Sequence, residues 1–197
     1  IREKLERIER LRRTLYAIDA MRAEGRVLLS IESCATAAAI APAIRAAARD
    51  RVTAFAAVGD RLDSVPPGHP PFENAAPVIG LAAVRNWLPV LRADRFGTKG
   101  RFVEAIAATN HDMVVIDVGY RGVDFLTKAD IAAMKFKKLG ARRPVVAVMS
   151  IGRAYDWRWY WQKGWVVGAP AFLFAPAVSA GEDGAAGTFI TDMASTE

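Results

Sequence analysis

The 197-residue sequence has one cysteine and two histidines, so it is poor in the side chains that most often bind zinc or form disulfides. Cys34 alone can form neither a disulfide within the chain nor a cysteine-based metal site. His69 lies in a proline-rich stretch and His111 precedes a predicted strand, so we expect neither a histidine metal site nor a Ser-His-Asp triad. The sequence therefore predicts no bound metal and no cofactor.

Long apolar runs and a concentrated basic stripe are also lacking. No run reaches the roughly 18 apolar residues that a membrane span needs, and no signal peptide opens the chain. The net charge is +6, but many of the arginines alternate with glutamates in residues 1–24, which is typical of a solvated helix face. We therefore expect no membrane span and no nucleic-acid partner. The oligomeric state is left open.

Helical and strand-like segments alternate along the chain. Residues 1–24 carry apolar side chains at spacings of three and four, which predicts a helix that packs one face; a coiled coil is the alternative. Apolar runs of strand length lie at residues 27–31, 52–58, 113–118 and 145–149, with a further strand predicted near residue 86. Thr98 is a predicted helix cap, and Thr127 with Asp130 resembles a capping box.

This alternation predicts a parallel sheet covered by helices on both faces. A doubly wound sheet would show the same order, but no glycine-rich phosphate loop follows any strand. We therefore predict an α/β fold, namely a parallel (β/α) barrel of the TIM type. The barrel would be incomplete, with about five to six strands and intervening helices, because 197 residues fall short of the roughly 250 that eight units need.

Two acids follow predicted strands, at the end where parallel α/β folds bind ligands. Asp117 comes after four apolar residues, and Glu32 follows the first predicted strand. A pair of carboxyl groups suits the hydrolysis of a glycosidic bond, so both are candidate catalytic residues. The alternative for Asp117 is a structural role, in which it accepts hydrogen bonds from loop amides.

The most unusual segment is residues 150–161, which is rich in aromatic and charged side chains. Aromatic faces can stack on sugar rings while arginine and aspartate bind hydroxyl groups, so this composition favours a carbohydrate pocket. The alternative is that the tryptophans pack a short helix. The candidate substrate-binding residues are Arg153, Tyr155, Asp156, Trp157, Arg158 and Trp159.

Residues 114–117, 126–131 and 150–161, in this order and spacing, resemble glycoside hydrolase family 114 and its relatives. These are the endo-α-1,4-polygalactosaminidase-like proteins, some once described as cysteinyl-tRNA-synthetase-related. The resemblance covers residues 86–197 and implies a secreted or cell-surface barrel that acts on polysaccharide of the amino-sugar type. The family pattern has a glutamate directly after Ser-Ile-Gly and a second acid two residues later, where this sequence has Arg153 and Tyr155.

Residues 1–66 are similar to the last two strands of the same kind of barrel. We therefore predict that residues 1–66 end one barrel, that residues 67–80 form a proline-rich linker, and that residues 81–197 begin a second barrel. A circularly permuted fragment is the alternative. The chain begins with Ile1 and is expected to be part of a longer protein.

Three functional hypotheses follow. The first is a glycoside hydrolase-like protein that uses Asp117 and Glu32, with the isolated chain expected to be inactive. The second is a non-catalytic protein that binds a polysaccharide or oligosaccharide, with Arg153 favouring an anionic glycan. The third is a structural module of a surface protein. Binding to glycans without turnover would separate the second hypothesis from the first.

Overall fold

The structure of the protein, a computed structural model, describes residues 27–59, 61–176 and 187–191. The predicted helix over residues 1–24 lies outside these described residues. The described α-helices are α1 (Ala37–Arg49), α2 (Lys99–Ala107) and α3 (Lys128–Met134), and short 3₁₀ turns cover Leu81–Ala83 and Asp94–Phe96. The strands, in chain order, are β1 (Leu29–Cys34), β2 (Thr53–Val58), β3 (Trp87–Val90), β4 (Met113–Asp117), β5 (Gly119–Tyr120), β6 (Asp124–Phe125), β7 (Val145–Val148), β8 (Arg153–Tyr155), β9 (Leu173–Pro176) and β10 (Thr188–Thr191).

The strands that the apolar runs predict are confirmed, and they pair in parallel. Strands β1 and β2 form a two-stranded sheet, while β3, β4 and β7 form a three-stranded sheet with β4 in the centre. All four residues of β3 are buried, as are the apolar residues of β4 at its core-facing positions. Burial on both faces explains why these two strands have nearly continuous apolar sequences.

The predicted TIM-type barrel is wrong. Among the described residues no backbone ladder joins β2 to β3, and β3 carries Pro89, which has no N–H group to donate and is typical of an edge strand. A side chain bridges the gap instead, because Nε1 of Trp87 donates a hydrogen bond to the carbonyl oxygen of Thr53 at 3.0 Å. After β7 the pairing also changes, since the remaining described strands are antiparallel. The fold is a small mixed α/β arrangement of several short sheets.

One apolar core lies around β3 and β4 and extends to β2. The ring of Phe55 meets that of Trp87 edge-on, with 6.3 Å between centroids. Ile106 of α2 and Met134 of α3 are fully buried against the same strands. Burying side chains of this size contributes about 1.5–3 kcal/mol each. A smaller core between α1 and the β1–β2 sheet contains Cys34, Ile44, Ala54 and Ala56.

The helices that flank β4 begin where the sequence predicts. The side-chain oxygen of Thr98 accepts a hydrogen bond from the backbone N–H of Arg101 at 3.2 Å, which caps α2. At α3 the capping box of Thr127 and Asp130 is complete, since each side chain accepts from the other residue's backbone N–H. Helix α2 therefore starts after β3, and α3 starts after the β5–β6 hairpin that follows β4.

The antiparallel elements follow the carboxyl ends of β4 and β7. Strands β5 and β6 form a tight hairpin immediately after β4. Strands β8, β10 and β9 form a three-stranded sheet in that order. Both elements therefore lie beyond the end of the parallel sheet where Asp117 is found.

Residues 67–80 contain neither helix nor strand, and they pack against the amino end of β4. The backbone N–H of Val78 donates to the carbonyl oxygen of Arg142 at 2.9 Å, and Asn74 contacts Asp112. The division of the chain into residues 1–66, 67–80 and 81–197 stays a prediction. Within the described residues, no helix is both long and apolar enough to cross a membrane.

Candidate functional site

An ion pair stands at the carboxyl end of β4. Asp117 is the last residue of that strand, and its Oδ1 accepts a hydrogen bond from Nη1 of Arg158 at 2.6 Å. Each of the two side chains is only 18% exposed. A charge-assisted hydrogen bond this short and this shielded is stronger than one between neutral groups, and it holds Arg158 in one orientation.

Two aromatic rings surround the guanidinium group of Arg158. Its Cζ atom lies 4.8 Å from the ring centroid of Trp157 and 5.7 Å from that of Tyr155. Both distances are within the range of cation–π attraction. The Nε atom is buried and has no hydrogen-bond partner among the described residues. Arg158 is therefore held by one carboxylate and two rings, and its Nε–H group remains able to donate a hydrogen bond.

A pocket of about 290 Å³ opens beside this ion pair. Its volume is near the low end of the range for small-ligand sites, and it combines apolar walls with a few polar groups, as such sites do. We name it the carboxyl-end pocket. The residues that line it are Asp117, Val118, Val148, Met149, Ser150, Arg158, Trp159 and Tyr160.

Trp159 forms an aromatic wall of the carboxyl-end pocket and keeps 47% of its surface exposed. Its ring is held by Phe125 at 4.9 Å and by Tyr160 at 5.5 Å between centroids. The hydroxyl oxygen of Tyr160 in turn accepts a hydrogen bond from the backbone N–H of Tyr155 at 3.1 Å. The Trp159 ring is thus fixed in place while part of it faces solvent.

The structure brings some of the candidate residues together and separates others. Asp117, Arg158 and Trp159 line the carboxyl-end pocket, and the rings of Trp157 and Tyr155 contact Arg158.

Arg153 and Asp156 lie near the carboxyl-end pocket but do not line it. The side chain of Arg153 is exposed, and only its carbonyl oxygen is tied to the pocket wall, through Oγ of Ser150 at 3.1 Å. Asp156 is exposed, and its carboxylate lies against Gly187. Neither side chain is therefore placed to contact a ligand inside the pocket.

Glu32 lies in β1, where its ladder neighbour in β2 is Ala56. It does not line the carboxyl-end pocket, and no hydrogen bond or ion pair links it to Asp117 in the described part of the chain. The two acids are thus not a pair at one pocket. In the described residues, Asp117 is the one carboxylate that lines it.

Five residues that line the pocket were not among the predicted site residues, namely Val118, Val148, Met149, Ser150 and Tyr160. Tyr160 belongs to the aromatic run, so its proximity to Trp159 was a usable signal. The contribution of Phe125 had no local signal, because it lies 34 residues before Trp159 in sequence and meets it only through the β5–β6 hairpin.

A second group of charged residues lies at the opposite, amino end of β4, and we name it the amino-end network. Nζ of Lys137 donates to Oδ1 of Asp112 at 2.5 Å, and neither side chain has any exposed surface. Asn74 completes the network by donating to both oxygens of Asp112 at 3.1 and 3.2 Å. Its own carbonyl oxygen accepts from Lys137 at 3.1 Å.

Arg143 and His111 flank this network. Arg143 is buried and donates to the carbonyl oxygens of Met134 and Ile106, each at 2.8 Å. Burial lowers the pKa of Arg143 to about 10, so the group stays charged at neutral pH. Burial, and next the charge of Arg143, lower the pKa of His111 to about 4. Lys137, Asp112 and Asn74 satisfy one another's hydrogen bonds, which is typical of a structural network.

Comparison with models of known protein families, with characterised proteins and with solved structures finds no match to this chain. The resemblance to glycoside hydrolase family 114 therefore stays a prediction. Among the described residues no cluster of histidine, cysteine, aspartate and glutamate has the arrangement of a metal site. The geometry of the carboxyl-end pocket is thus the basis on which a function can be proposed.

Proposed function

We propose that this protein binds an oligosaccharide at the carboxyl-end pocket without cleaving it. The observation that carries the proposal is the grouping of the Asp117–Arg158 pair and the half-exposed ring of Trp159 around one pocket. A sugar ring offers C–H groups that an aromatic face can contact and hydroxyl groups that a carboxylate and a guanidinium can bind. Few polar groups among apolar walls provide both contacts.

Binding without cleavage is favoured by the number of carboxylates. Hydrolysis of a glycosidic bond uses two carboxyl groups about 5–10 Å apart on either side of the bond. Among the described carboxylates Asp117 alone lines the pocket, and its Oδ1 already accepts a hydrogen bond from Arg158. The reaction also needs an acid that protonates the leaving oxygen, and the described lining of the pocket has no second carboxyl group to do so.

The pairing of charges also favours a neutral sugar. Asp117 and Arg158 neutralise each other at 2.6 Å, so the pocket presents hydrogen-bonding groups without a net charge. Arg153, the residue that would favour an anionic glycan, is exposed and does not line the pocket. We therefore expect uncharged hexose or amide-bearing residues to bind more tightly than uronic acids.

The Trp159→Ala variant is expected to bind the preferred oligosaccharide at least tenfold more weakly than the unaltered chain. Truncation of an aromatic side chain at the centre of a binding site typically has an effect of this size or larger. The measurement is a glycan array with neutral and acidic oligosaccharides, followed by titration calorimetry with the neutral oligosaccharide that binds most tightly. Phe72→Ala is the matched control, because Phe72 is also half-exposed but lies at the amino end of the sheet.

Three outcomes would contradict the proposal. Equal affinity of the Trp159→Ala variant and the unaltered chain would show that the ring only packs. Release of reducing sugar from the bound oligosaccharide, lost in Asp117→Asn, would mean that the protein is a hydrolase instead. An array on which the full chain binds no glycan would favour the structural-module hypothesis.

A further inference from the structure

We propose that the β5–β6 hairpin is a positioning element that holds Trp157 and Arg158 at the carboxyl-end pocket. The Trp157 ring packs directly against Gly122, in the turn of this hairpin. The effect on ligand affinity rests on the proposed function. The positioning itself does not, because it concerns contacts within the protein. No sequence motif pointed to this hairpin.

The central observation is the close approach of Trp157 to Gly122. A β-carbon added at Gly122 would overlap the Cζ3 atom of the Trp157 ring and would lie 3.1 Å from its Cη2 atom. The same carbon would lie 3.2 Å from Cδ of Arg158. Gly122 also has a φ of +74°, a conformation that favours glycine. The turn of the hairpin thus provides a flat backbone surface against which both side chains rest.

The hairpin is itself anchored to the body of the protein. Lys99, in the first turn of α2, donates to Oδ1 of Asp124 at 2.8 Å and to the carbonyl oxygen of Phe125 at 2.9 Å. On its other side, the carbonyl oxygen of Gly122 accepts from the backbone N–H of Trp159 at 3.4 Å. The hairpin therefore links helix α2 to the aromatic segment that lines the pocket.

This arrangement explains how a loop segment can present a fixed binding surface. The side chain of Arg158 passes beside Gly122 and reaches Asp117, and the Trp157 ring, which also rests on Gly122, contacts its guanidinium group. Side chains on loops are mobile unless neighbouring groups lock their rotamers. A displaced Trp157 would release Arg158 from one of its two aromatic neighbours and loosen the ion pair.

The test compares Gly122→Ala with Gly140→Ala. Gly140 has a similar φ of +86° but open space around its α-carbon, so its variant carries the same backbone strain without the overlap. We expect Gly122→Ala to bind the oligosaccharide selected on the array at least tenfold more weakly, while Gly140→Ala binds it as the unaltered chain does. Without ligand, we expect the NMR signals of the Arg158 guanidinium and the Trp157 indole to move in Gly122→Ala alone.

A double variant separates positioning from general damage. In a Trp157→Ala background the added methyl group has no ring to displace and meets only Cδ of Arg158, at 3.2 Å. Gly122→Ala should therefore move the Arg158 signal less in this background than it does in the unaltered chain. If Gly122→Ala does not fold, Lys99→Met releases the hairpin and should move the same two signals. Unmoved signals in the tested variant would overturn the proposal. Moved signals in a protein that binds no glycan would uphold the positioning role and refute the proposed function alone.

Discussion

Replacing Lys137 with methionine is expected to lower the free energy of unfolding by about 3–5 kcal/mol, the cost typical of breaking a fully buried ion pair. The loss arises chiefly because Asp112 stays behind as a buried charge without its cation. Three carbonyl or amide oxygens that accept from Nζ, those of Asn74 and Ala76, would lose their donor as well. The measurement is chemical denaturation at neutral pH.

Lys138→Met is the matched control, since the neighbouring lysine is exposed and its variant should change stability by less than about 0.5 kcal/mol. A double variant with Asp112→Asn tests the cause. Removing the negative charge should recover part of the loss, because the remaining amide can hydrogen-bond without a cation. A Lys137→Met variant as stable as the Lys138→Met variant would show that the pair contributes little.

The second expected result is a loss of stability between pH 6.5 and pH 4 that depends on His111. Its folded pKa is lowered to about 4, while an unfolded histidine titrates near 6.5. In this window the unfolded chain binds the proton and the folded chain does not, so the unfolding free energy falls as the pH falls. The stabilisation is complete above pH 6.5, and about 3 kcal/mol of it is lost by pH 4.

The comparison is between the unaltered chain and His111→Leu, with chemical denaturation at several pH values. The variant has no imidazole to protonate, so the difference in unfolding free energy between the two proteins should change by about 3 kcal/mol across this window. Lys138→Met is the control, because that exposed side chain lies outside the site of His111 and its variant should give a curve parallel to that of the unaltered chain. Parallel curves for the unaltered chain and His111→Leu would refute the assignment to His111.

The physical cause of this pH dependence is the site that His111 occupies. The side chain is 6% exposed, and its Nδ1 has no hydrogen-bond partner among the described residues. The positive charge of Arg143 lies close by and further disfavours the imidazolium, while Asp112 and Glu73 favour it more weakly. Burial is the largest cause of the lowered pKa. A change that exposes the amino end of β4 to solvent should therefore raise the pKa of His111 toward its ordinary value.

The positions of the strands and of two helix starts followed from local sequence. Apolar runs mark where β2, β4 and β7 lie. In β4 the cause is burial on both faces, which requires apolar side chains at successive positions, whereas β7 is apolar although most of its residues are exposed. Thr98 and Thr127 mark helix starts because their hydroxyl groups satisfy free backbone N–H groups within three residues. Asp117 at a strand end and the tryptophan-rich segment were recognisable for the same local reason.

The arrangement of these elements did not follow from local sequence, and the barrel prediction was wrong for that reason. The alternation of strands and helices is common to many parallel sheets, and closure depends on pairing between distant strands. Here Trp87 bridges β2 and β3 by a side chain, and the chain after β7 turns to antiparallel pairing. Neither feature has a signature in the spacing of apolar residues.

For the candidate site, too, some features followed from local sequence and others only from the tertiary structure. The sequence alone determined that an acid ends β4 and that aromatic and basic side chains follow β7. Only the tertiary structure decided that Arg158, 41 residues after Asp117, is its partner, that Glu32 is not, and that Gly122 supports the Trp157 ring. The physical reason is the separation in sequence over which each interaction acts. Helix capping and the apolar pattern of a strand involve residues close together in sequence, whereas ion pairs and ring contacts form between whichever segments the fold brings together.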